Sequence, residues 1–392
     1  MVALAVIVAL IAVAWLAQRA FKADVARDWW RGPVTDHFDG VRFRNLGPPP
    51  QFHGTRDMLR WKLTSKPAVW PKSVPVTPVV PAARIAGDAL VATVIGHVTV
   101  LLQTQGLNIL TDPVWSERAS PFRWAGPKRV RAPGIRFDDL PRIDVVLLSH
   151  NHYDHLDLAT LQRLWARDRP RIITPIGNAA LLARHGITAE EGDWGDCIVV
   201  SPKASVHIER VQHWSSRWGF DSYRALWCGF TVALPGGSVY FSGDCGFDAS
   251  AFAAVRRHGP VRLALIGIGA YEPRWFMRYH HMNPADAVAA FAELDPARAI
   301  GVHWGVFQLT DEAVDAPPVA LAEALAAAGV APARFTAETA AAVIDVARLP
   351  LAVAAQSLQR VARSLSTASS NAVNFDRTPG NFAGLSPTPV IR

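Results

Sequence analysis

The chain has 392 residues, 50% of them hydrophobic and 19% charged, with a formal net charge of +7 and a pI of about 9.7. That composition is too apolar for a disordered chain and can bury one large core or two smaller ones. Its three cysteines, Cys197, Cys228 and Cys245, form no CxxC pair and no regular framework, which argues against a disulfide scaffold and for reduced thiols, and so for a domain facing the cytoplasm.

From Val2 to Ala17 no residue is charged, and Arg19, Lys22 and Arg27 follow. Sixteen apolar residues fall a little short of a bilayer span, though flanking basic side chains can snorkel. Residues 1–20 therefore read first as an uncleaved membrane anchor, second as a signal peptide with Ala12-Val13-Ala14 as its small-residue site, and third as a hydrophobic docking helix. Positive charge after the run would keep the domain that follows on the cytoplasmic side; a periplasmic location is the alternative. Residues 21–84 form a Trp- and Pro-rich arm, with Trp29, Trp30, Trp61, Trp70 and the run Pro48-Pro49-Pro50, whose prolines disfavour long regular elements.

Between 85 and 345 short apolar runs alternate with amphipathic ones. Strands are expected at 90–95, 98–103, 107–111, 144–149, 171–175, 197–201, 204–211, 230–234, 238–242, 263–268 and 299–302, and helices at 157–167, 178–185, 248–258, 284–294 and 318–328. This is the pattern of an α/β domain with mixed sheets flanked by outer helices. Arg118, Arg123, Lys128, Arg129, Arg131, Arg136 and Arg142 crowd one stretch of it; such a patch suits anionic lipid headgroups, would serve nucleic acid equally, or is a solvated face. Beyond 346 a helix is expected at Leu351–Leu365, followed by a Ser/Thr/Asn/Pro-rich disordered tail over 366–392. No internal repeat, phosphate-binding Gly-rich loop or G-x-S-x-G elbow occurs in the sequence.

Residues 149–155 read Ser-His-Asn-His-Tyr-Asp-His, directly after Val145-Val146-Leu147-Leu148. A buried strand thus delivers His150, His152, Asp154 and His155 on one loop. Neutral imidazoles with a carboxylate suit borderline divalent metals such as zinc, and this group exceeds what one catalytic metal needs. A polar, histidine-rich surface loop is the bland alternative. Partners are offered by three later strand ends: Gln212-His213-Trp214, Ser242-Gly243-Asp244-Cys245-Gly246 and His303-Trp304-Gly305. A lone histidine after a strand is more often a core or capping residue, but a loop that already needs partners changes that weighing.

At this point the sequence resembles the metallo-β-lactamase-fold hydrolases and, within them, the N-acylphosphatidylethanolamine-hydrolysing phospholipase D family. The blocks that carry the resemblance are Leu110–Pro121, Gly126–Arg129, Leu148–Asp157, Gln212–Trp214, Ile268–Met277 and His303–Gly305, over about residues 85–345. Two departures stand out: Val94-Ile95-Gly96-His97-Val98 lacks the family's leading aromatic and its alanine, and Cys245 replaces a threonine. Together with the strand pattern, the resemblance implies an αββα four-layer sandwich. It assigns His150, His152 and His213 to one zinc ion, Asp154, His155 and His303 to a second, and Asp244 to both. Asp244 and His281 are the implied catalytic residues, and His280 a bystander. Two cations sharing a water would lower its pKa and neutralise phosphoryl charge, and His281 would orient substrate or protonate the leaving alkoxide.

The expected function is therefore a membrane-bound dizinc phosphodiesterase that cleaves N-acylphosphatidylethanolamine-type lipids to phosphatidic acid and N-acylethanolamine. Its expected partners are the membrane and a phospholipid substrate, with no nucleic acid; a homodimer is compatible with the sequence. The competing readings are a hydrolase of the same fold acting on a sugar-phosphate lactone, a cyclic nucleotide or RNA, and a non-enzymatic membrane regulator.

Overall fold

Short β-branched runs separated by Gly, Asn and Pro turns have to pair with one another to satisfy their backbones. The computed structural model describes residues 2–47 and 55–349, with side chains described from 10 onward in the first segment and from 56 in the second. The first sheet holds β1 (Leu90–Gly96), β2 (Thr99–Thr104), β3 (Leu107–Thr111), β4 (Val145–Leu147), β5 (Arg171–Pro175), β6 (Glu190–Gly192) and β14 (Val343–Val346), in the order β14-β1-β2-β3-β4-β5-β6. The second holds β7 (Cys197–Ser201), β8 (Ala204–Glu209), β9 (Gly229–Ala233), β10 (Ser238–Phe241), β11 (Val261–Gly267), β12 (Arg298–Val302) and β13 (Phe335–Thr336), in the order β13-β12-β11-β10-β9-β8-β7.

The inner faces of the two sheets pack together: Val100, Leu147 and Ile173 of the first meet Val206, Phe230, Phe241, Leu265 and Ile300 of the second. Helices α3 (Leu158–Asp168) and α4 (Ala179–Ala183) cover the outer face of the first sheet with Leu161, Leu164 and Leu182. Helices α5 (Ala249–Val255), α6 (Pro284–Leu294) and α7 (Ala316–Ala327) cover the second with Phe252, Val288, Phe291, Leu321 and Leu325. Four layers result, as the resemblance implies. Strands β3 to β6 run parallel, as do β10 to β13. Their carboxyl ends supply the loops described below, the usual place for a site in sheets of this kind.

Several elements escape the sequence pattern for identifiable reasons. Strand β6 is the polar run Glu190-Glu191-Gly192, held by an ion pair from Arg171 to Glu190 (2.7 Å) and by backbone bonds from Asn178 and Ala179 to Glu191. Strand β13 has only two residues. Strand β14 alternates exposed Val343 and Asp345 with buried Ile344 and Val346, so the first sheet runs one residue past the expected boundary at 345. Within the arm, Thr55–Thr64 forms helix α2, which packs Trp61 against Phe276 with ring centroids 5.0 Å apart.

Helix α1 spans Val2–Val25, longer than the expected anchor at 1–20. Among the described residues, no helix is long and apolar enough to cross a membrane. The helix is docked near its carboxyl end, where Phe21 meets Trp218 edge-on at 4.9 Å and Arg184 pairs with Asp24 and Asp28. Leu10, Ile11, Val13, Trp15 and Leu16 are exposed. Pro48–Pro50, the expected helix at 351–365 and the tail at 366–392 lie outside the described residues.

Leu147, fully buried between the sheets, gives the direct test of this packing. Leu147→Ala should lower unfolding stability by about 2–5 kcal/mol, read from denaturant midpoints; a loss below about 1 kcal/mol would contradict its place in a close-packed core.

Candidate metal centre

Each site residue lies just past the end of a strand or in the loop that follows it. The loop after β4 carries His150, His152, Asp154 and His155; Asp244 lies past β10, His213 past β8, and His303, with φ +65°, directly after β12. Gly243 takes φ +55°, and a Cβ there would sit 2.7 Å from Ser149 Cβ and 2.8 Å from the Cys228 carbonyl. Glycine is therefore what lets the chain turn Asp244 against the β4 loop.

All seven donor residues named from the sequence are brought together. His150, His152, His213 and Asp244 form one group of converging donor atoms, and Asp154, His155 and His303 form another together with His97. Asp244 Oδ2 stands between the groups, 3.0 Å from His155 Nε2, 3.2 Å from His303 Nε2, 3.8 Å from His213 Nε2 and 3.9 Å from His150 Nε2. His281 Nδ1 is 3.7 Å from the same oxygen. His280 gives the site its carbonyl, which accepts from His213 Nδ1 at 2.9 Å.

Sequence reasoning missed a supporting layer. Asp112, fully buried after β3, accepts from His155 Nδ1 at 2.6 Å and from the Ser149 hydroxyl at 2.5 Å, while Ser149 N donates to its other oxygen at 2.7 Å. The Ser149 hydroxyl also lies 2.9 Å from His150 Nδ1. Partners of this kind fix the tautomer and ring orientation of ligating histidines. Asn45, from the arm, exchanges hydrogen bonds with the backbone of His213 at 2.8 and 3.1 Å. Half-buried Arg217 donates to the carbonyls of Asn151 and Leu156 at 2.9 and 3.0 Å, which closes the metal loop from behind. The fourth missed residue is His97, whose Nε2 lies 2.9 Å from Asp154 Oδ2. A polar residue at a strand end was the available signal for Asp112 and His97; nothing local marks Asn45 or Arg217.

The electrostatics show a centre short of positive charge. Burial works to raise the pKa values of Asp154 and Asp244, but the imidazoles around them hold both carboxyls well below the usual range. Burial likewise opposes charge on His303, yet Asp244 and Asp154 lift it to about 9, and the same two carboxylates keep His155 high. Protons on those rings thus supply the compensation that cations would. His150 and His213 are pushed down by burial, as are His152 and His281, each to about 4.

The donor set fits divalent metal. Buried His152 Nε2 and Asp244 Oδ1 have no hydrogen-bond partner, a costly arrangement unless something else engages them. Imidazole nitrogens and carboxylate oxygens are the donors zinc takes.

Comparison with known proteins agrees with this geometry. The family model described as "Beta-lactamase superfamily domain" matches residues 107–304. The chain is 38% identical over 234 residues to "N-acyl-phosphatidylethanolamine-hydrolyzing phospholipase D 1" of Caenorhabditis elegans, a match that covers 57% of this chain and 65% of the worm protein, just under two thirds of its length. It is 35% identical over 282 residues to an uncharacterised protein of Mycobacterium tuberculosis, covering 69% of this chain and 74% of that one. Among solved structures, Igni18, described as a metallo hydrolase from Ignicoccus hospitalis, superposes with a TM-score of 0.52 at 18% identity, over 67% of this chain and 100% of Igni18.

The shifts set a pH profile for the metal-free protein. His152 and His281 titrate near 4 when folded, below the ordinary 6.5, so the unfolded chain takes up protons first and stability falls as the pH drops from 6.5 towards 4. His303 is raised to about 9, so its contribution is complete below 6.5 and is lost as the pH rises through 9. Denaturant midpoints of chelator-treated protein should therefore be highest near pH 6.5, and a midpoint that kept rising from pH 7 to pH 10 would contradict the assigned charges.

Proposed function

This chain belongs to the beta-lactamase superfamily and is a metal-dependent hydrolase, and on that premise we propose that it is a dizinc phosphodiesterase that cleaves N-acylphosphatidylethanolamine-type phospholipids. The observation that carries the reading is Asp244 Oδ2, which lies within 3.0–3.9 Å of donor nitrogens from both ligand groups and so suits a carboxylate shared by two cations. His150, His152 and His213 would hold one ion, Asp154, His155 and His303 the other, with Asp244 bridging. Bound there, two zinc ions would acidify a shared water and neutralise charge developing on phosphoryl oxygens.

His281 carries the proton work in this reading. Burial keeps its ring neutral, with a pKa of about 4, so it begins as a base. Its Nδ1 faces Asp244, which leaves Nε2 to take the proton of the attacking water and pass it to the departing alkoxide. Arg274 holds this segment in place by donating to the His281 carbonyl at 2.9 Å and to Asp286 at 2.6 Å.

A lipid substrate is supported by the activity named for the worm relative and by the surface around the metal loop. An open groove of about 710 Å³ is lined by Phe122, Tyr153, Leu156, Leu181 and Trp218 with Arg118 and Arg123. Trp124 is exposed next to Phe122, and Leu10, Ile11, Val13, Trp15 and Leu16 of α1 are exposed as well. We assign this basic and apolar face to contact with an anionic membrane.

The metal-loaded protein should release N-acylethanolamine and phosphatidic acid from N-acylphosphatidylethanolamine, with oxygen from labelled water appearing in the phosphatidic acid alone. His281→Ala should keep its metal and lose activity by a factor of roughly a hundred to ten thousand. Label in the N-acylethanolamine would refute attack at phosphorus, and turnover of a soluble phosphodiester with no lipid cleavage would refute the lipid assignment.

A further inference from the structure

We propose that His97 is a positioning residue for the metal centre: its imidazole orients the Asp154 carboxylate through Nε2, while its backbone carbonyl holds the turn that carries His303. The inference rests on reading the site as dinuclear. His97 sits at the tip of the β1–β2 hairpin with φ +59°, after Gly96 at φ +135°. Left-handed backbone at a non-glycine residue is uncommon and costs energy, so surrounding contacts have to impose it. Two contacts do so here. The His97 carbonyl accepts from His303 N at 2.8 Å, and His97 Nε2 lies 2.9 Å from Asp154 Oδ2. The ring is enclosed, with its centroid 4.2 Å from that of His303 and 5.2 Å from that of Phe307.

His97 is set apart from the assigned ligands by the carboxylate it reaches: its Nε2 meets Asp154, whereas His155 and His303 meet both Asp154 and the shared Asp244. A carboxylate oxygen only accepts, so at 2.9 Å Nε2 donates to Asp154 Oδ2. Asp154, His155, His303 and Asp244 already furnish the second ion with donors of its own.

The bond from His303 N to the His97 carbonyl does not use the His97 side chain, so side-chain variants bear on the orienting half. Cobalt(II) titration of the full-length metal-free protein, followed by visible absorption and by competition with a chelator, should give two equivalents for wild type. His97→Ala should still saturate at two, with the second equivalent bound ten- to a hundredfold more weakly. His97→Gln, which can present an amide N–H to Asp154, should recover affinity to within about threefold of wild type. Unchanged affinity in His97→Ala alongside two equivalents in wild type would overturn the role of His97 alone. Saturation of His97→Ala at one equivalent without rescue by Gln would make His97 a ligand instead. Fewer than two equivalents in wild type would overturn the dinuclear reading and this inference with it.

Discussion

Asp244 places a buried carboxylate at the meeting point of two groups of imidazoles, and that charge has to be compensated. An isolated buried carboxylate is too costly to keep ionised. Here the surrounding rings hold it ionised, and the protein meets the requirement by keeping His155 and His303 protonated. Cations entering the site would take over that role and release those protons, which ties metal affinity to pH. Much of the local backbone follows from the same requirement. Gly243 turns Asp244 inward, and His303 accepts a left-handed backbone.

The sheets supply rigidity and the loops supply direction, but neither alone sets ring orientation. That falls to groups which touch the donor-bearing residues rather than any ion. Asp112 and Ser149 fix His155 and His150 from the first sheet, and Asn45 reaches in from the arm to hold His213. The arm is therefore part of the site's support, since without Asn45 the backbone of His213 would lose both of these bonds. Arg217 is a costlier device. Its guanidinium is buried under the metal loop, with its pKa lowered by that burial, and it is stabilised by two carbonyls and by the Tyr153 ring 3.9 Å away.

The donor residues were legible because a metal loop concentrates its signal in a few consecutive positions, and because each remaining donor follows an apolar strand. Strands that are nearly continuous apolar runs, such as β1 and β11, were legible for the same reason. What was not legible depends on partners remote in sequence. Strand β6 exists because Arg171 pairs with Glu190 across the sheet, which no local pattern announces. His97 and Asp112 looked like residues of a hairpin tip and a turn, and only the convergence of β1, β3, β4 and β12 makes them part of one centre. The anchor expectation stood on an uncharged run with basic residues after it, whereas the docking of the helix's carboxyl end rests on Phe21 against Trp218 and Arg184 against Asp24, contacts about two hundred and one hundred and sixty residues away along the chain.

Burial within the site then gives the chemistry a direction. His150, His155, His213 and His303 are closed off by the sheets, whereas His152 and His281 keep partial access to solvent. Any substrate must therefore approach across the His152 and His281 side, where Trp214 stacks edge-on to His152 at 4.6 Å. In the proposed reading, a phosphodiester arriving there would meet Asp244 and a neutral imidazole at once. The groove lined by Tyr153 and Leu156 adjoins the same loop. An apolar chain lying in that groove would be tethered within one loop's width of the centre, so binding energy gained on the lipid's tails could be used to fix its phosphate at the open side.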